Sequence, residues 1–173
     1  MSSQANGVGN VLRGRVWKFD HDVSTDVLSP GAYAIDPVEV RMLHVLESVN
    51  PAFASQVEPG DVIVAGRNFG CGSSRETAPE NLKALGVACV CAESFARIFM
   101  RNAVAVGLPV LVCSGVHAAF ENDDVGEIDL ASGRVNNTDS GGELQGDSLP
   151  EEMRAILAAG GILALLKSQS GAG

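Results

Sequence analysis

The residues Asn68-Phe69-Gly70-Cys71-Gly72-Ser73-Ser74-Arg75-Glu76 follow an apolar run and open a segment of helical character. Glycines at 70 and 72 allow positive φ and a close approach of the backbone to a bound group. Amides at a helix start lack intrahelical acceptors and lie at the positive end of the helix dipole, so they receive anions. Two hydroxyls and a guanidinium follow, and arginine grips a carboxylate with two parallel hydrogen bonds. The chemistry expected of Gly70, Cys71, Gly72, Ser73, Ser74 and Arg75 is therefore the holding of a carboxylate or another oxyanion. A plainer alternative stays open: Ser73 or Ser74 caps the helix and Arg75 is a surface residue.

Spacing removes three other readings. The dinucleotide fingerprint would need glycine at position 75, where Arg75 stands. A P-loop needs a Gly-Lys-Ser/Thr end and four residues between its glycines, and neither is present. The esterase elbow fails because Ser73 directly follows Gly72 and no glycine stands at 75.

The elements around this segment place it. Residues 13–19 alternate polar and apolar like a strand, and the Asp-, Ser- and Pro-rich stretch after them is a loop. Apolar spacing from Pro37 to Val49 predicts a helix. Val62–Ala65, residues 87–92 and residues 108–113 are short apolar runs. Between them lie helical stretches from Arg75 to Leu85 and from Ser94 to Val106, each stopped by a glycine. That alternation predicts parallel βαβ units, whose strands are apolar throughout because both faces are covered. The Ser73 segment then falls at the C-terminal edge of a parallel sheet, where open α/β folds bind ligands. Beyond residue 114, a hairpin is expected around Ser132-Gly133, a flexible connection over 139–148, and a helix capped at Ser148 and running to Gly160.

The 173 residues suit one domain, here assigned to 13–167 with frayed tails at 1–12 and 168–173. With 46% hydrophobic residues the chain can build a core. A net charge of −9 disfavours duplex nucleic acid, whose binding rests on Lys and Arg neutralising phosphates. No apolar run is long enough for a membrane span, and the first residues lack a secretion signal's basic start and apolar stretch. Cys71, Cys89, Cys91 and Cys113 are then expected to be reduced thiols in a cytoplasm. Cys89 and Cys91, set among Val and Ala, read as small buried residues rather than metal ligands.

The stretch from Ala65 to Leu111 and the upstream run around Ser24-Thr25-Asp26 closely resemble the small subunits of 3-isopropylmalate dehydratase and their aconitase-superfamily relatives. The likeness extends over residues 13–167 and includes Gly-Ser-Ser-Arg-Glu, Ser-Phe-Ala-Arg-Ile-Phe and Arg-Asn at matching distances. It implies the swivelling-domain fold, a three-layer β/β/α arrangement with a parallel sheet of βαβ units and a smaller antiparallel sheet. It implies a hydro-lyase that isomerises a small hydroxy-acid by dehydration and rehydration, as in leucine biosynthesis. The [4Fe-4S] cluster would be carried by a separate large aconitase-like subunit, none being bound by this chain. By the same resemblance Ser73 matches the base, Ser74 and Arg75 match contacts to substrate carboxylates, and Asp26 belongs to the active-site network. Thr25 reads either as part of that network or as a loop-stabilising hydroxyl. Glu76 reads as balancing the site's charge or pairing with an arginine. Arg97, Arg101 and Asn102 read as structural ties beside the site.

The chain departs from its relatives at three places. Thr77 stands where several have histidine, and Ala105 where many have a second asparagine. The loop that selects substrate is Gly31-Ala32-Tyr33-Ala34-Ile35, with no cation before Arg41. A loop presenting Ala34 and Ile35 cannot pair with a distal carboxylate, so an apolar substituent, as in isopropylmalate or a methylated malate, is expected over homocitrate. Related dehydratases of 2,3-dimethylmalate, homoaconitate or methylaconitate type remain alternatives, as does a non-catalytic anion-binding module.

Overall fold

Strand β1 (Val11–Lys18) is the pivot of the architecture, and its burial changes along its length from half-exposed to buried. The first part, Val11 to Arg15, pairs antiparallel with β5 (Val125–Asp129). The last part, Val16 to Lys18, pairs parallel with β2 (Val62–Ala65). Beyond β2 lie β3 (Cys89–Ala92) and β4 (Val110–Val112), both parallel. Beyond β5 lie β6 (Arg134–Asn137) and β7 (Glu143–Gln145), both antiparallel. The expected parallel sheet and smaller antiparallel sheet are both present, joined through β1 into one seven-stranded sheet of order β4-β3-β2-β1-β5-β6-β7. These features come from a computed structural model that describes residues 11–171. The expected tail at 1–12 lies outside them except for Val11 and Leu12, which belong to β1.

The helices in chain order are α1 (Thr25–Leu28), α2 (Val38–Arg41), α3 (Phe53–Gln56), α4 (Thr77–Ala84), α5 (Arg97–Val106), α6 (Val116–Ala119), α7 (Glu151–Ala159) and α8 (Ile162–Gly171). Helices α4 and α5 pack together, α7 and α8 pack on α5, and α1 and α2 pack on α4. Every residue of β2 and β3 is buried, as strands covered on both faces must be. No helix among the described residues is long and apolar enough to cross a membrane.

Several expected boundaries are corrected. The single helix over 37–49 is instead α2 followed by a 3-10 turn at Met42–His44, and Leu46 then takes φ 61°. Val45 and Leu46 are both fully buried beyond the break. The break lets the Leu46 amide donate to the Val27 carbonyl at 2.8 Å. Residues 94–96 are not helical, because Phe95 forms a parallel bridge with Phe69 and the Ala96 amide donates to the Phe69 carbonyl. Part of the 139–148 connection forms β7 on the open edge of β6. Pro150, not Ser148, occupies the cap position of α7. Helix α8 extends through residues 168–171, which the sequence assigns to a tail.

Cys89, Cys91 and Cys113 are buried in the parallel strands and their ends, and Cys71 is partly exposed. Burial alone pushes the Cys89 thiol up to about 12.

Candidate active site

The loops that follow β1, β2 and β3 meet at the C-terminal edge of the parallel sheet. Four hydrogen bonds lace the first two together: Gly66 N–H to the Asp20 carbonyl (3.2 Å), Asp22 N–H to the Arg67 carbonyl (2.8 Å), Gly70 N–H to the Val23 carbonyl (2.7 Å) and Thr25 N–H to the Cys71 carbonyl (2.8 Å). The third loop joins through Phe69, whose amide donates to the Ser94 carbonyl at 3.0 Å. Long-range pairing thus fixes the segment predicted to carry chemistry.

Gly70 has φ 85° and Gly72 φ 106°, as the sequence requires of them. A Cβ on Gly70 would lie 2.2 Å from Phe99 Cγ, inside the ring that α5 lays against the loop. Gly70→Ala therefore combines a steric overlap with a left-handed backbone, and we expect a loss of about 3 kcal/mol or more in the chain's urea unfolding free energy. An unchanged midpoint and slope would contradict this packing.

The loop places Ser73 on the surface and ties it to the buried Thr25. The Ser73 amide donates to Thr25 Oγ1 at 3.0 Å, and the two hydroxyl oxygens are 3.2 Å apart. Thr25 Oγ1 thus accepts the amide on one lone pair. Among the described residues its own proton has one acceptor in reach, Ser73 Oγ, so the threonine donates to the serine. Thr25 is the residue whose weight the sequence leaves open; its burial and both of its bonds depend on contacts 48 positions away. Thr25→Val keeps the shape but orphans the amide and removes the donor. If turnover depends on Ser73, kcat should fall about a hundredfold, with Thr25→Ser restoring most of it. Equal rates for both variants would remove Thr25 from the site.

Arg75 turns inward from the loop. Its Nη1 donates to the Ser29 carbonyl at 2.8 Å and forms an ion pair with Asp26 Oδ1 at 2.9 Å. Among the described residues, Nε and Nη2 meet no acceptor, so the side-on fork of the guanidinium stays open. A Cβ on Gly31 would lie 3.8 Å from Nη2, so the loop carrying Ala34 and Ile35 starts beside that open edge. Ile35 is 97% exposed. The amides of Gly72, Ser74 and Arg75 also meet no acceptor within the chain, among the described residues.

Helix α4 begins at Thr77, so neither Ser73 nor Ser74 caps it; Glu76 holds the cap position without a side-chain bond. The open amides therefore belong to a loop and not to a helix terminus. Thr77 Oγ1 lies 2.6 Å from Ser29 Oγ, which gives the histidine-to-threonine departure a structural partner. Asn102 donates to the Ser74 carbonyl at 3.4 Å, as a tie beside the site should. Arg97, Arg101 and Glu76 make no ion pair among the described residues, so of the two readings of Glu76 the pairing with an arginine is not seen.

The local field is mixed. The Cys71 thiol is held above its usual range, first by partial burial and then by the charges of Asp22 and Asp26. The neutral thiol is not a nucleophile here, and the same carboxylates oppose any anion on the loop. Among the described residues, no three His, Cys, Asp or Glu side chains are gathered so as to hold a metal ion. Sequence reasoning missed His21, Ser29 and Asn68, which brace these loops. The only signal was their position in the polar stretches that flank the two motifs.

Residues 35–114 match the family model described as the aconitase C-terminal domain. The chain is 52% identical over 162 residues to the 3-isopropylmalate dehydratase small subunit 1 of Methanopyrus kandleri, covering 92% of this chain and 95% of that one. It is 46% identical over 162 residues to the isopropylmalate/citramalate isomerase small subunit of Methanocaldococcus jannaschii, covering 92% and 96%. The crystal structure of 3-isopropylmalate dehydratase from Methanocaldococcus jannaschii matches with a TM-score of 0.87 and 39% identity, covering 94% of this chain and 99% of that one. Identity of this extent, together with the same fold, means that the chain belongs to the family of 3-isopropylmalate dehydratase small subunits, in the aconitase superfamily.

Proposed function

We propose that this chain supplies the proton-abstracting serine and a carboxylate clamp to a two-subunit dehydratase that interconverts 2- and 3-isopropylmalate. The observation that carries the reading is the pairing of Ser73 with a buried hydroxyl donor beside an arginine whose bidentate edge is open. Arg75 Nε and Nη2 would hold one substrate carboxylate, with the amides of Ser74 and Arg75 and the Ser74 hydroxyl as further donors. That contact fixes the carbon next to the carboxylate over Ser73 Oγ. Ser73, as an alkoxide, removes the proton there, and Thr25 donates to the oxygen throughout. Asp26 orients Arg75 through its ion pair with Nη1.

In the free chain Ser73 is a neutral hydroxyl, because an alcohol ionises far above neutral pH. Ionisation needs positive charge brought from outside the chain. The family supports a large partner subunit carrying a [4Fe-4S] cluster, which when bound would act as Lewis acid on the leaving hydroxyl. Four unpaired thiols support a reducing, cytoplasmic setting.

The substrate's far end meets the Gly31–Ile35 segment. The nearest cation along the chain, Arg41, is 8% exposed and already bonded to the Asp36 carbonyl, Asn81 and Glu80. It is not free to receive a distal carboxylate, whereas Ala34 and Ile35 offer apolar surface. The two-subunit enzyme is expected to favour isopropylmalate over homocitrate by about a hundredfold in kcat/KM. Faster turnover of homocitrate would overturn the substrate assignment.

A further inference from the structure

We propose that His21 is a positioning residue for this site, an acceptor that holds the Ser73 loop in register only while its Nδ1 carries no proton. Segments 20–23 and 66–70 run side by side, and three of the bonds between them are backbone to backbone. The Arg67 amide donates at 2.7 Å to His21 Nδ1. That amide cannot reverse its polarity, so Nδ1 presents its lone pair and the ring is the neutral tautomer protonated at Nε2.

The seat is built for the ring. A Cβ on Gly66 would lie 2.1 Å from His21 Nδ1, so only a residue without a side chain fits beneath it. The rung also steadies a strained pair. Asp22 and Asn68 both take left-handed backbone, at φ 60° and 63°, and Asn68 Nδ2 donates to Asp22 Oδ1 at 3.1 Å. Non-glycine residues persist there only when neighbouring bonds over-determine them. Residues 68 and 22 lead directly into Gly70–Ser73 and Thr25.

The charged groups facing His21 come from every surrounding element. Asp20 and Asp22 flank it, Arg67 lies opposite, and the His117 ring sits with its centroid 5.1 Å away. His117 Nε2 bonds Asp20 Oδ1 at 3.0 Å, and Glu93 accepts the Gly115 and His117 amides. Lys18 and Glu121 border the same cleft. A proton on Nδ1 sets one N–H against another, breaks the rung and leaves the strained pair underdetermined.

The kinetic part of this inference rests on the proposed role of Ser73; the structural part does not. In the full-length chain, the Arg67 amide resonance is expected to shift on acidification, as a proton on Nδ1 removes its acceptor. In His21→Asn it should stay flat, because Asn Oδ1 occupies the place of Nδ1 and does not titrate. In the two-subunit enzyme, kcat of the natural sequence should fall about fivefold to tenfold more on acidification than that of His21→Asn. His21→Leu should be impaired across the whole range. An Arg67 amide that does not titrate in the natural sequence overturns the proposal without reference to any variant. So does one that titrates equally in His21→Asn, or an acid limb of kcat that this substitution leaves in place.

Discussion

Ser73→Ala is expected to lower kcat of the two-subunit enzyme by about 10²- to 10⁴-fold, the range for loss of a positioned base. Fold and assembly should survive. Ser73 is exposed, and its backbone rung to Thr25 does not involve the side chain being removed. The substitution leaves the Thr25 hydroxyl without its acceptor, which costs about 1 kcal/mol and is too little to unfold the chain. KM should change little, since the carboxylate clamp at Arg75 is untouched. The expected signature is thus a loss in kcat alone, read by steady-state kinetics beside an analytical measurement of complex formation. A variant that assembles and keeps turnover within about tenfold would place the base elsewhere and leave Ser73 as a loop hydroxyl.

Arg75→Lys is expected to have the next largest effect, a fall of about a hundredfold in kcat/KM. Lysine preserves the charge, so Coulombic attraction alone would predict a mild phenotype. The guanidinium does two jobs that an ammonium cannot do together. Nη1 spans Asp26 and the Ser29 carbonyl, while Nε and Nη2 stay parallel and open. An ammonium that keeps the first pair has no planar fork left for a carboxylate. The Arg75–Asp26 pair is itself a half-exposed contact worth well under about 1 kcal/mol, so stability should hardly move. Kinetics close to those of the natural sequence in Arg75→Lys would mean that the substrate carboxylate is held by other donors.

The parts of the fold legible in the sequence are those whose signal is local. Runs such as Val62–Ala65 and Cys89–Ala92 are apolar at each position because the parallel sheet is covered on both sides, and no other element so short needs that composition. The hairpin of β5 and β6 is legible through its alternation around Gly133, which sits at φ 81°. Gly70 and Gly72 announce a loop of positive φ, and the loop is there. The misplaced boundaries share a cause: each is set by a partner far away in sequence. Helix α4 starts two residues later than its composition suggests because Arg75 is drawn back to Asp26 and Ser29. Residues 94–96 have helical propensity but serve Asn68 and Phe69 as a bridging strand. The stretch from Pro37 has helical periodicity, yet Arg41 is buried against α4 and the chain then breaks, with Val45 and Leu46 buried beyond it. The site is split in the same way. Its donors are legible as a motif, whereas the braces that orient them, Thr25, Ser29 and His21, become visible only when two loops lie side by side.

Solvent-deuterium incorporation into 3-isopropylmalate tests the proton-transfer role most directly, because it follows the C–H bond itself and not overall turnover. The natural pair of subunits in deuterium oxide should place deuterium on the carbon from which Ser73 takes its proton, while the Ser73→Ala pair, equally assembled, should return substrate unlabelled over many natural turnover times. Labelling by the alanine variant at the rate of the natural sequence would contradict the account.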